Sequence, residues 1–247
     1  MSAPATDVLR WGRERVRASR WRGDDQVAFL APLPATPAPS AEFLRRCLRT
    51  LADQGFTRVI TAALSPAEQT GFLAVGFAEQ ERLRLLGIDL TAGLPDIPPG
   101  PKLVRGRHRR DGVLAVDNAA FAPFWRFDAQ SLAEAIAATP STRFRAALVD
   151  APKGATDRAD GRVAGYAVCG RSGTRGFVQR LAVEPTLRRS GIGTRLMLDG
   201  LHWMRGHGVQ RAVVNTQTDN EGALALYLGL GFVEEPIGLS VLSTGLA

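Results

Sequence analysis

The sequence has 247 residues, of which 45% are hydrophobic and 22% are charged, a balance typical of a globular protein with one large domain or two small ones. Its 31 Lys and Arg residues outnumber its 24 Asp and Glu residues, which gives a formal net charge of +7. No apolar run approaches the ~20 residues of a membrane helix, and the first residues lack the pattern of a signal peptide.

The two cysteines, Cys47 and Cys169, lie in different halves of the chain and in apolar surroundings. Buried free thiols are therefore expected rather than a disulfide. Together with the lack of a targeting pattern, the free thiols favour a cytoplasmic location.

Positive charge is concentrated in two stretches, residues 10–22 and residues 105–110. Arg supplies almost all of it, since Lys occurs only at positions 102 and 153, and such a bias is typical of GC-rich coding sequences. Both stretches alternate in the manner of strands, so we interpret them as solvated sheet faces. An Arg-rich binder of nucleic acid is an alternative, but the pattern does not favour nucleic acid as the principal partner.

In the N-terminal half, a first helix is predicted over residues 40–55 and a strand over residues 58–61. The apolar stripe of this helix consists of Leu44, Cys47, Leu48 and Leu51. Residues 65–68 then combine a capping box with Pro at the first helical position, and the helix that they open is expected to end at Gly76.

The rest of the chain begins with residues 91–101, which are rich in Pro and Gly and are predicted to be a linker. Strands are predicted over residues 102–107, 144–149, 163–169, 178–183 and 211–216, with two more within 232–242. Helices are predicted over 111–121, from an Asp128 N-cap to about Thr139, over 191–205, and from a cap at 218–221 to Gly229 or Gly231. A polar loop is expected between the strands 144–149 and 163–169.

Residues 178–196 carry the most informative pattern in the chain. A β-rich run ends before Pro185, and a turn with two arginines, Gly191 and Gly193 leads into a predicted helix. Glycines at such a turn take positive φ at little cost and let a ligand approach the main chain. N–H groups at a helix N-terminus attract anions, and guanidinium groups beside them add charge-assisted contacts. The pattern predicts a pyrophosphate cradle.

Two familiar phosphate-binding loops do not fit this stretch, because a Walker loop requires Gly-Lys-Ser/Thr and a dinucleotide fingerprint requires a third Gly. The pattern Arg188-x-x-Gly191-x-Gly193 resembles the acyl-CoA pyrophosphate loop of the GNAT superfamily of N-acyltransferases. Further on, residues 220–232 have the pattern Asn-x-x-Ala-x-x-x-Tyr-x-x-x-Gly-Phe, which resembles the second GNAT element. The two elements follow each other in the expected order and at a plausible distance.

The resemblance covers roughly residues 102–247 and implies the GNAT acyl-CoA N-acyltransferase fold. This is an α/β (α+β) domain with a mixed sheet, in the order β-α-α-β-β-β-α-β-α-β-β. The implied cosubstrate is acetyl-CoA, and the implied activity is transfer of an acetyl group to a primary amine. The acceptor stays open between a small-molecule amine, an antibiotic, an amino acid, a peptide N-terminus and a protein Lys. No metal site is implied.

The resemblance also assigns residues to the cosubstrate. Main-chain groups at the end of the strand are expected to hold the pantetheine arm and the thioester carbonyl, namely those of Leu181, Ala182 and Val183. The turn and helix start are expected to hold the pyrophosphate, namely Arg188, Arg189, Ser190, Gly191, Ile192, Gly193 and Thr194. Asn220 is expected to touch the pantetheine, although capping the helix that follows would suit it equally well.

Acyl transfer also requires a proton for the departing thiolate, and Tyr227 is the candidate general acid, since a phenol is protonated at neutral pH. A core residue is the alternative for Tyr227. The general base is where the sequence departs from the family, because many GNATs have Glu or Asp where this chain has Gln179 and Arg180. Glu184 lies beyond the strand. A water chain, an acceptor amine of low pKa, or binding of acyl-CoA without turnover are the alternatives.

The three histidines do not fill the gap: His108 lies in an Arg-rich stretch, His202 in mid-helix and His207 at a helix end, where a positive charge suits the dipole. The aromatic loop with Phe124 and Trp125 lies where GNATs form the wall for the acceptor. Its aromatic side chains could equally belong to the core.

The N-terminal half repeats part of the C-terminal pattern. Helix, Gly, strand, cap, helix and Gly-Phe follow one another over residues 40–77 and again over residues 196–232. The interval Gly55–Gly76 matches Gly208–Gly231 with one two-residue gap. Two unrelated β-α-β-α passages are the alternative to a repeat.

The N-terminal copy lacks the chemistry of the C-terminal one. The prolines of residues 34–39 stand in place of the cradle and cannot donate an amide, and Phe72 or Leu73 stands in place of Tyr227. We therefore predict a degenerate, truncated GNAT-like half over residues 1–90 that shapes the acceptor side, a linker over 91–101, and an acetyltransferase domain over 102–247. A non-catalytic acyl-CoA sensor, or a pseudoenzyme with a protein partner, is the rival function.

Overall fold

A computed structural model of the protein describes residues 7–33, 36–150 and 161–246. The strands in these ranges are Asp7–Trp11 (β1), Glu14–Trp21 (β2), Asp24–Pro32 (β3), Arg58–Leu64 (β4), Ala78–Asp89 (β5), Lys102–Arg105 (β6), Ser141–Val149 (β7), Arg162–Ser172 (β8), Arg175–Val183 (β9), Arg211–Gln217 (β10), Val233–Glu234 (β11) and Leu239–Gly245 (β12). The α-helices are Ala41–Asp53 (α1), Pro66–Leu73 (α2), Arg110–Ala120 (α3), Ala129–Ala137 (α4), Ile192–Gly206 (α5) and Glu221–Gly229 (α6). The predicted mixed α/β class is confirmed.

Contacts divide the chain into two compact units, and the division falls within β5. Unit 1 contains the described residues up to 85 together with 215–220 and 235–246, and unit 2 contains residues 86–214 and 221–234. These limits differ from those predicted for the domains, because β12 at the end of the chain pairs with β4 and with the first part of β5. The domain limits themselves stay a prediction.

Unit 1 has the strand order β1-β2-β3-β4-β12-β5. Residues 27–30 of β3 pair in parallel with residues 58–61 of β4, and α1 makes the crossover between them. The core of this unit consists mainly of side chains from the helices and the inner strands, among them Val16, Leu30, Phe43, Leu44, Cys47, Leu51, Val59 and Phe72. The predicted stripe of α1 is therefore confirmed, although Leu48 is only half-buried.

Both helices of unit 1 begin as their sequences predict. Ser40 is the N-cap of α1, and its hydroxyl accepts the N–H of Phe43 at 3.2 Å. At the start of α2, the Ser65 N–H donates to the Glu68 carboxylate at 2.8 Å, which is half of a capping box. The turn after α2 contains Gly76 at φ +90°, a left-handed conformation that favours glycine.

Unit 2 has the order β10-β9-β8-β7-β6, and the end of β5 lies beside β10, where the Leu90 N–H donates to the Gln210 carbonyl at 2.8 Å. Residues 175–178 of β9 pair in parallel with residues 211–214 of β10, and β6 to β9 are antiparallel. Two cores lie on opposite faces of the sheet. One contains α5 and α6 side chains, including Leu196, Met197, Leu201 and Tyr227, and the other contains α3 and α4 side chains, including Val113, Val116 and Leu132.

The two units share a succession of elements, as the predicted repeat requires. After β1, the chain continues β2-β3-α1-β4-α2-β5, and the series β8-β9-α5-β10-α6-β11 has the same order. In each series a parallel ladder of four residue pairs joins the second and third strands. The matched glycines Gly55, Gly76, Gly208 and Gly231 all have φ between 78° and 91°.

The two Arg-rich stretches differ from their prediction as solvated strand faces. In β2, the Nε atoms of Arg17 and Arg20 are buried, and the Arg17 guanidinium lies 5.9 Å from the ring centroid of Phe29. The second stretch leaves the sheet after Arg105, since residues 106–108 form a 3₁₀ turn before α3. The close packing of this turn requires glycine at position 106, because a Cβ there would lie 2.4 Å from the Phe144 ring.

Three parts of the sequence analysis fall outside the described residues: the start of the chain (residues 1–6), residues 34 and 35 of the Pro-rich segment, and the predicted polar loop at 151–160. Among the helices that the structure describes, none is both long and apolar enough to cross a lipid bilayer.

The buried cysteines give a direct test of both cores. Cys47 lies in unit 1 and Cys169 in unit 2, both free and both buried. Burial raises the pKa of each thiol to about 12, so little reactive thiolate exists at pH 8. We expect neither thiol to react with an aromatic disulfide reagent in the native protein and both to react at once in urea. Cys47→Ala and Cys169→Ala assign the two signals, and rapid stoichiometric labelling of the native protein would contradict the described burial.

Candidate functional site

The start of α5 presents an open helix N-terminus. Arg189 and Gly191 have φ of +64° and +82°, and this turn is exposed while Ile192 anchors the helix in the core. The first N–H of the helix with an acceptor is that of Arg195, which donates to the Gly191 carbonyl at 3.0 Å. In the part of the chain that the structure describes, no acceptor takes the N–H groups of residues 191–194. Such a group of amides is a ready site for an anion.

Two side chains of this turn donate hydrogen bonds to main-chain carbonyls and thereby fix its shape. The Ser190 hydroxyl donates to the Leu187 carbonyl at 2.6 Å, and the Arg188 guanidinium donates to the carbonyl of Ala120 at 3.1 Å. Arg188 therefore ties the turn to the end of α3, whereas the exposed Arg189 extends into solvent. The geometry supports main-chain amides as the donors of the predicted cradle, with arginine contacts as a second contribution.

The end of β9 has one unpaired edge. Its ladder with β10 covers residues 175–178, but its antiparallel ladder with β8 continues to Val183. The Glu184 N–H donates to β8, at the Ala164 carbonyl. Because alternate residues of an antiparallel ladder face the partner strand, Ala182 also directs its main-chain groups to β8, and Leu181 and Val183 direct theirs to the other edge. Leu181 and Val183 are thus better placed than Ala182 for the predicted contacts with a pantetheine arm.

A β-bulge lies in the same strand. Val168 pairs with Arg180 and Cys169 with Val178, so that Gln179 is the extra residue. The extra residue turns Val178 and Arg180 to opposite faces of the sheet. Val178 packs in the core beside α5, and Arg180 enters the face covered by α3.

Arg180 forms a buried network that the sequence analysis missed. Its guanidinium donates to both oxygens of Asp117 in α3, with Nε at 2.8 Å and Nη2 at 3.0 Å. The Tyr166 hydroxyl donates to the same carboxylate at 2.5 Å, and the Phe127 N–H donates at 2.7 Å. Nη2 also donates to the Trp125 carbonyl at 2.5 Å. One signal was present in the sequence, namely an Asp beside the apolar stripe of α3.

Gln179 and Arg180 stand where many GNATs have a carboxylate, and neither an amide nor a guanidinium can act as a base. Arg180 is committed to Asp117, and the Oε1 atom of Gln179 is buried without a hydrogen-bond partner. Glu184 pairs with Arg162, and that hydrogen bond lowers the pKa of the Glu184 carboxyl. The histidine rings contact Arg107, the Pro95 carbonyl and the Trp203 carbonyl, for His108, His202 and His207 respectively. The structure therefore assigns no general base to these residues.

Tyr227 lies in α6 close to the start of α5. Its ring is 5% exposed, and its centroid is 5.7 Å from that of Phe232. Burial raises the pKa of the phenol above its ordinary value. A Cβ on Gly193 would lie 3.3 Å from Leu226 and 3.7 Å from Val183, so the start of α5, α6 and the end of β9 converge. The candidate acid and the candidate cradle thus belong to one place in unit 2.

Asn220 is not part of that unit, since it belongs to unit 1 and directly precedes α6. Its main-chain N–H donates to the Gln217 carbonyl at 3.2 Å. A pantetheine contact by Asn220 stays a prediction.

The aromatic loop after α3 divides into two parts. Phe121 and Phe127 pack against the core, with the Arg180 guanidinium 3.5 Å and 3.9 Å from their ring centroids. Phe124 and Trp125 lie in a 3₁₀ turn between them and are half-buried, with centroids 5.0 Å apart in an edge-to-face pair. Phe121 and Phe127 thus belong to the core. The role of Phe124 and Trp125 as a wall for the acceptor stays a prediction.

The corresponding helix start in unit 1 is closed by the protein itself. The Glu14 carboxylate accepts both the N–H and, at 3.0 Å, the hydroxyl of Ser40, and Ser40 caps α1. A side-chain anion therefore occupies the N-terminus of the helix that matches α5. This supports the prediction that the N-terminal copy has no cradle. In the ranges that the structure describes, no group of three His, Cys, Asp or Glu residues could hold a metal ion.

In unit 2, the open N-terminus of α5 thus lies beside the unpaired edge of β9. This arrangement suits an extended ligand that carries a diphosphate. In comparison with known proteins, residues 120–232 match the acetyltransferase (GNAT) family. The matched residues therefore form a GNAT acetyltransferase domain, as the two motifs indicated.

Relatives agree with this assignment. A mycothiol acetyltransferase of Saccharomonospora viridis is 30% identical over 68% of this chain and 54% of its own length. N-alpha-acetyltransferase 30 of Schizosaccharomyces pombe is 40% identical over 24% of this chain and 39% of its own length. The chain thus spans less than two thirds of either relative.

Among solved structures, a tandem GNAT protein from the clavulanic acid biosynthesis pathway matches with a TM-score of 0.67 and 16% identity. The match covers 100% of this chain and 85% of that one. At this identity the likeness shows the fold alone.

Gly193→Asp tests the cradle. A carboxylate in the first turn favours the helix through its dipole, which offsets the tight contact of 3.3 Å between a Cβ and Leu226, so the variant should keep the fold. The same carboxylate repels a diphosphate: at about 6 Å and an effective dielectric constant of about 20, one charge pair costs ~3 kcal/mol, or about a hundredfold in affinity. Calorimetry with acetyl-CoA measures the loss.

Gly206→Asp is the matched control, because it adds the same charge at the other end of α5, where a Cβ meets no atom within 4 Å. It should leave the affinity for acetyl-CoA within twofold. Equal affinities of the two variants would remove the cradle from the start of α5.

Proposed function

We propose that the protein is an N-acetyltransferase that transfers an acetyl group from acetyl-CoA to a primary amine. The observation that carries this proposal is the open N-terminus of α5 beside the unpaired edge of β9. The names of the relatives refer to mycothiol, to α-amino groups and to an aminoglycoside. Because those acceptors differ in kind, the amine of this protein is proposed only as a small-molecule or peptide amine. A cytoplasmic location is part of the same proposal.

In this mechanism the amides of residues 191–194 bind the pyrophosphate, with Arg189 as a flanking cation. The outward main-chain groups of Leu181 and Val183 hold the pantetheine arm along β9, in place of the missing β10 partner. Each contact uses a donor or acceptor that has no partner in the described chain, so binding costs no existing hydrogen bond. The thioester is thereby placed near α6.

The chemical step is a direct transfer. A neutral amine attacks the thioester carbonyl carbon, a C–N bond forms, and the C–S bond breaks. The departing thiolate takes the proton of the Tyr227 hydroxyl, and the proton released by the amine passes to solvent, from which Tyr227 is restored. The products are the N-acetyl amine and free coenzyme A. The amine must arrive neutral, since Gln179 and Arg180 cannot remove its proton and Glu184 pairs with Arg162.

The rival function is an acyl-CoA sensor without turnover, and the position of Arg180 is what favours it. Incubation of the protein with acetyl-CoA and a panel of amines separates the two, with release of free thiol as the measurement. The buried cysteines should contribute little signal of their own. We expect thiol release above the blank for at least one class of amine, and a blank result with every amine would leave only the sensor.

Tyr227→Phe tests the general acid. The substitution removes one hydroxyl and keeps the ring in its buried place, so the fold and the affinity for acetyl-CoA should be preserved. If Tyr227 donates the proton, kcat with the most active amine should fall by about 10²–10⁴-fold. Rapid-quench turnover and calorimetry give the two quantities, and an unchanged kcat would make Tyr227 a core residue only.

The pH profile is a separate test of the same residue. An acid donates only while protonated, and a raised pKa keeps the Tyr227 phenol protonated beyond its ordinary value of about 10. We therefore expect kcat/KM to rise with pH as the amine becomes neutral and then to stay level to about pH 9.5. A descending limb centred below about pH 9, measured on the wild type with a stable fold, would assign the proton to another group.

A further inference from the structure

The loop formed by residues 121–127 is held from beneath by one buried guanidinium. Arg180 lies between the rings of Phe121 and Phe127, the two ends of the loop, and donates to the carbonyl of Trp125 near its tip. Asp117 fixes the same arginine and accepts the N–H of Phe127. These contacts of the loop therefore all pass through a single ion pair.

The ion pair is deeply buried. The side chain of Asp117 is 0% exposed and that of Arg180 is 9% exposed. Asp117 receives four hydrogen bonds, including one from Tyr166, whose pKa is raised chiefly by burial. A planar guanidinium that donates to both carboxylate oxygens fixes direction as well as distance.

Stability alone does not account for such a pair, because well-packed apolar side chains can replace a buried ion pair at little or no cost. What an apolar pair cannot do is fix the carbonyl of Trp125 and the N–H of Phe127 at the same time. The network therefore specifies one conformation of the loop. Its arginine, Arg180, directly precedes Leu181, a residue expected to hold the pantetheine arm.

We propose that Asp117 and Arg180 are positioning residues that hold the loop of residues 121–127 in one conformation and thereby set the acceptor side of the site. The proposal rests on the proposed function, since it takes Phe124 and Trp125 as the wall that the acceptor meets. Arg180 occupies a position at which many GNATs have a carboxylate, and here that position serves to shape the site instead of to remove a proton.

The double variant Asp117→Asn/Arg180→Met tests this role without leaving one charge buried alone. Trypsin cleavage after the exposed Arg126 reports on the loop, and cleavage after Arg189 in the pyrophosphate turn is the internal reference. We expect the rate after Arg126 to rise at least tenfold and the rate after Arg189 to stay within twofold. With the most active amine of the panel, KM for the amine should rise at least tenfold, with kcat and the affinity for acetyl-CoA changed less than threefold.

Arg143→Met/Asp199→Asn is the matched control. This pair is also bidentate, with Nε to Oδ2 at 2.6 Å and Nη2 to Oδ1 at 2.7 Å, and it lies in the same unit against α5. It contacts no residue of the loop, so cleavage after Arg126 and KM for the amine should match the wild type. Arg180→Lys keeps the charge but cannot reach all its acceptors at once, and it should give an intermediate KM.

The outcomes separate the two proposals. Unchanged cleavage after Arg126 in the Asp117/Arg180 variant overturns the positioning role, as does an equal effect in the Arg143/Asp199 control. Faster cleavage with an unchanged KM for the amine also overturns it, because the loop would then not shape the acceptor side. If the wild type turns over no amine, the proposed function fails, and with it the acceptor role, while the proteolysis still shows whether the ion pair holds the loop.

Discussion

The candidate site depends on where one parallel ladder ends. β9 and β10 share hydrogen bonds over four residue pairs, and beyond them one edge of β9 and the first amides of α5 have no partner in the described part of the chain. Unpaired main-chain groups that are shielded from water cost free energy, so a ligand that supplies their partners binds to donors and acceptors that are already oriented. The bulge at Gln179 acts at the same place, because it turns Arg180 toward α3 while Leu181 keeps its outward main-chain groups.

The two units contain similar parallel ladders but differ at the helix N-terminus that follows. In unit 1, β3 and β4 also pair over four residues, and a helix again follows the first of these strands. There the helix N-terminus is satisfied from within the chain, by the Ser40 cap and the Glu14 carboxylate. The helix dipole and free amides favour an anion in both units, but in unit 1 the anion is a side chain of the protein itself. The start of α5 is thus open in the described chain, whereas the start of α1 is closed by Glu14.

Much of the local structure could be predicted, including the caps at Ser65 and Asp128 and the helix that begins after Gly191. These features depend on residues within four positions of one another. The turn with Arg188, Gly191 and Gly193 also indicated where a cradle is to be expected, since its chemistry lies in consecutive amides. The ion pair of Asp117 and Arg180 was not predicted, because 63 residues separate its members and no local pattern joins them.

The sequence by itself determined the mixed α/β class, the starts of the helices and the family of the C-terminal domain, because period, caps and motif spacing are local properties of the chain. Only the tertiary structure decided that β12 pairs within unit 1, that Gln179 is a bulge, and that Arg180 meets Asp117 instead of serving near the thioester. These outcomes depend on which strand edges and which buried charges find partners across the fold. Such pairing is a competition between distant segments, and a one-residue change of register reverses the face on which every following side chain lies.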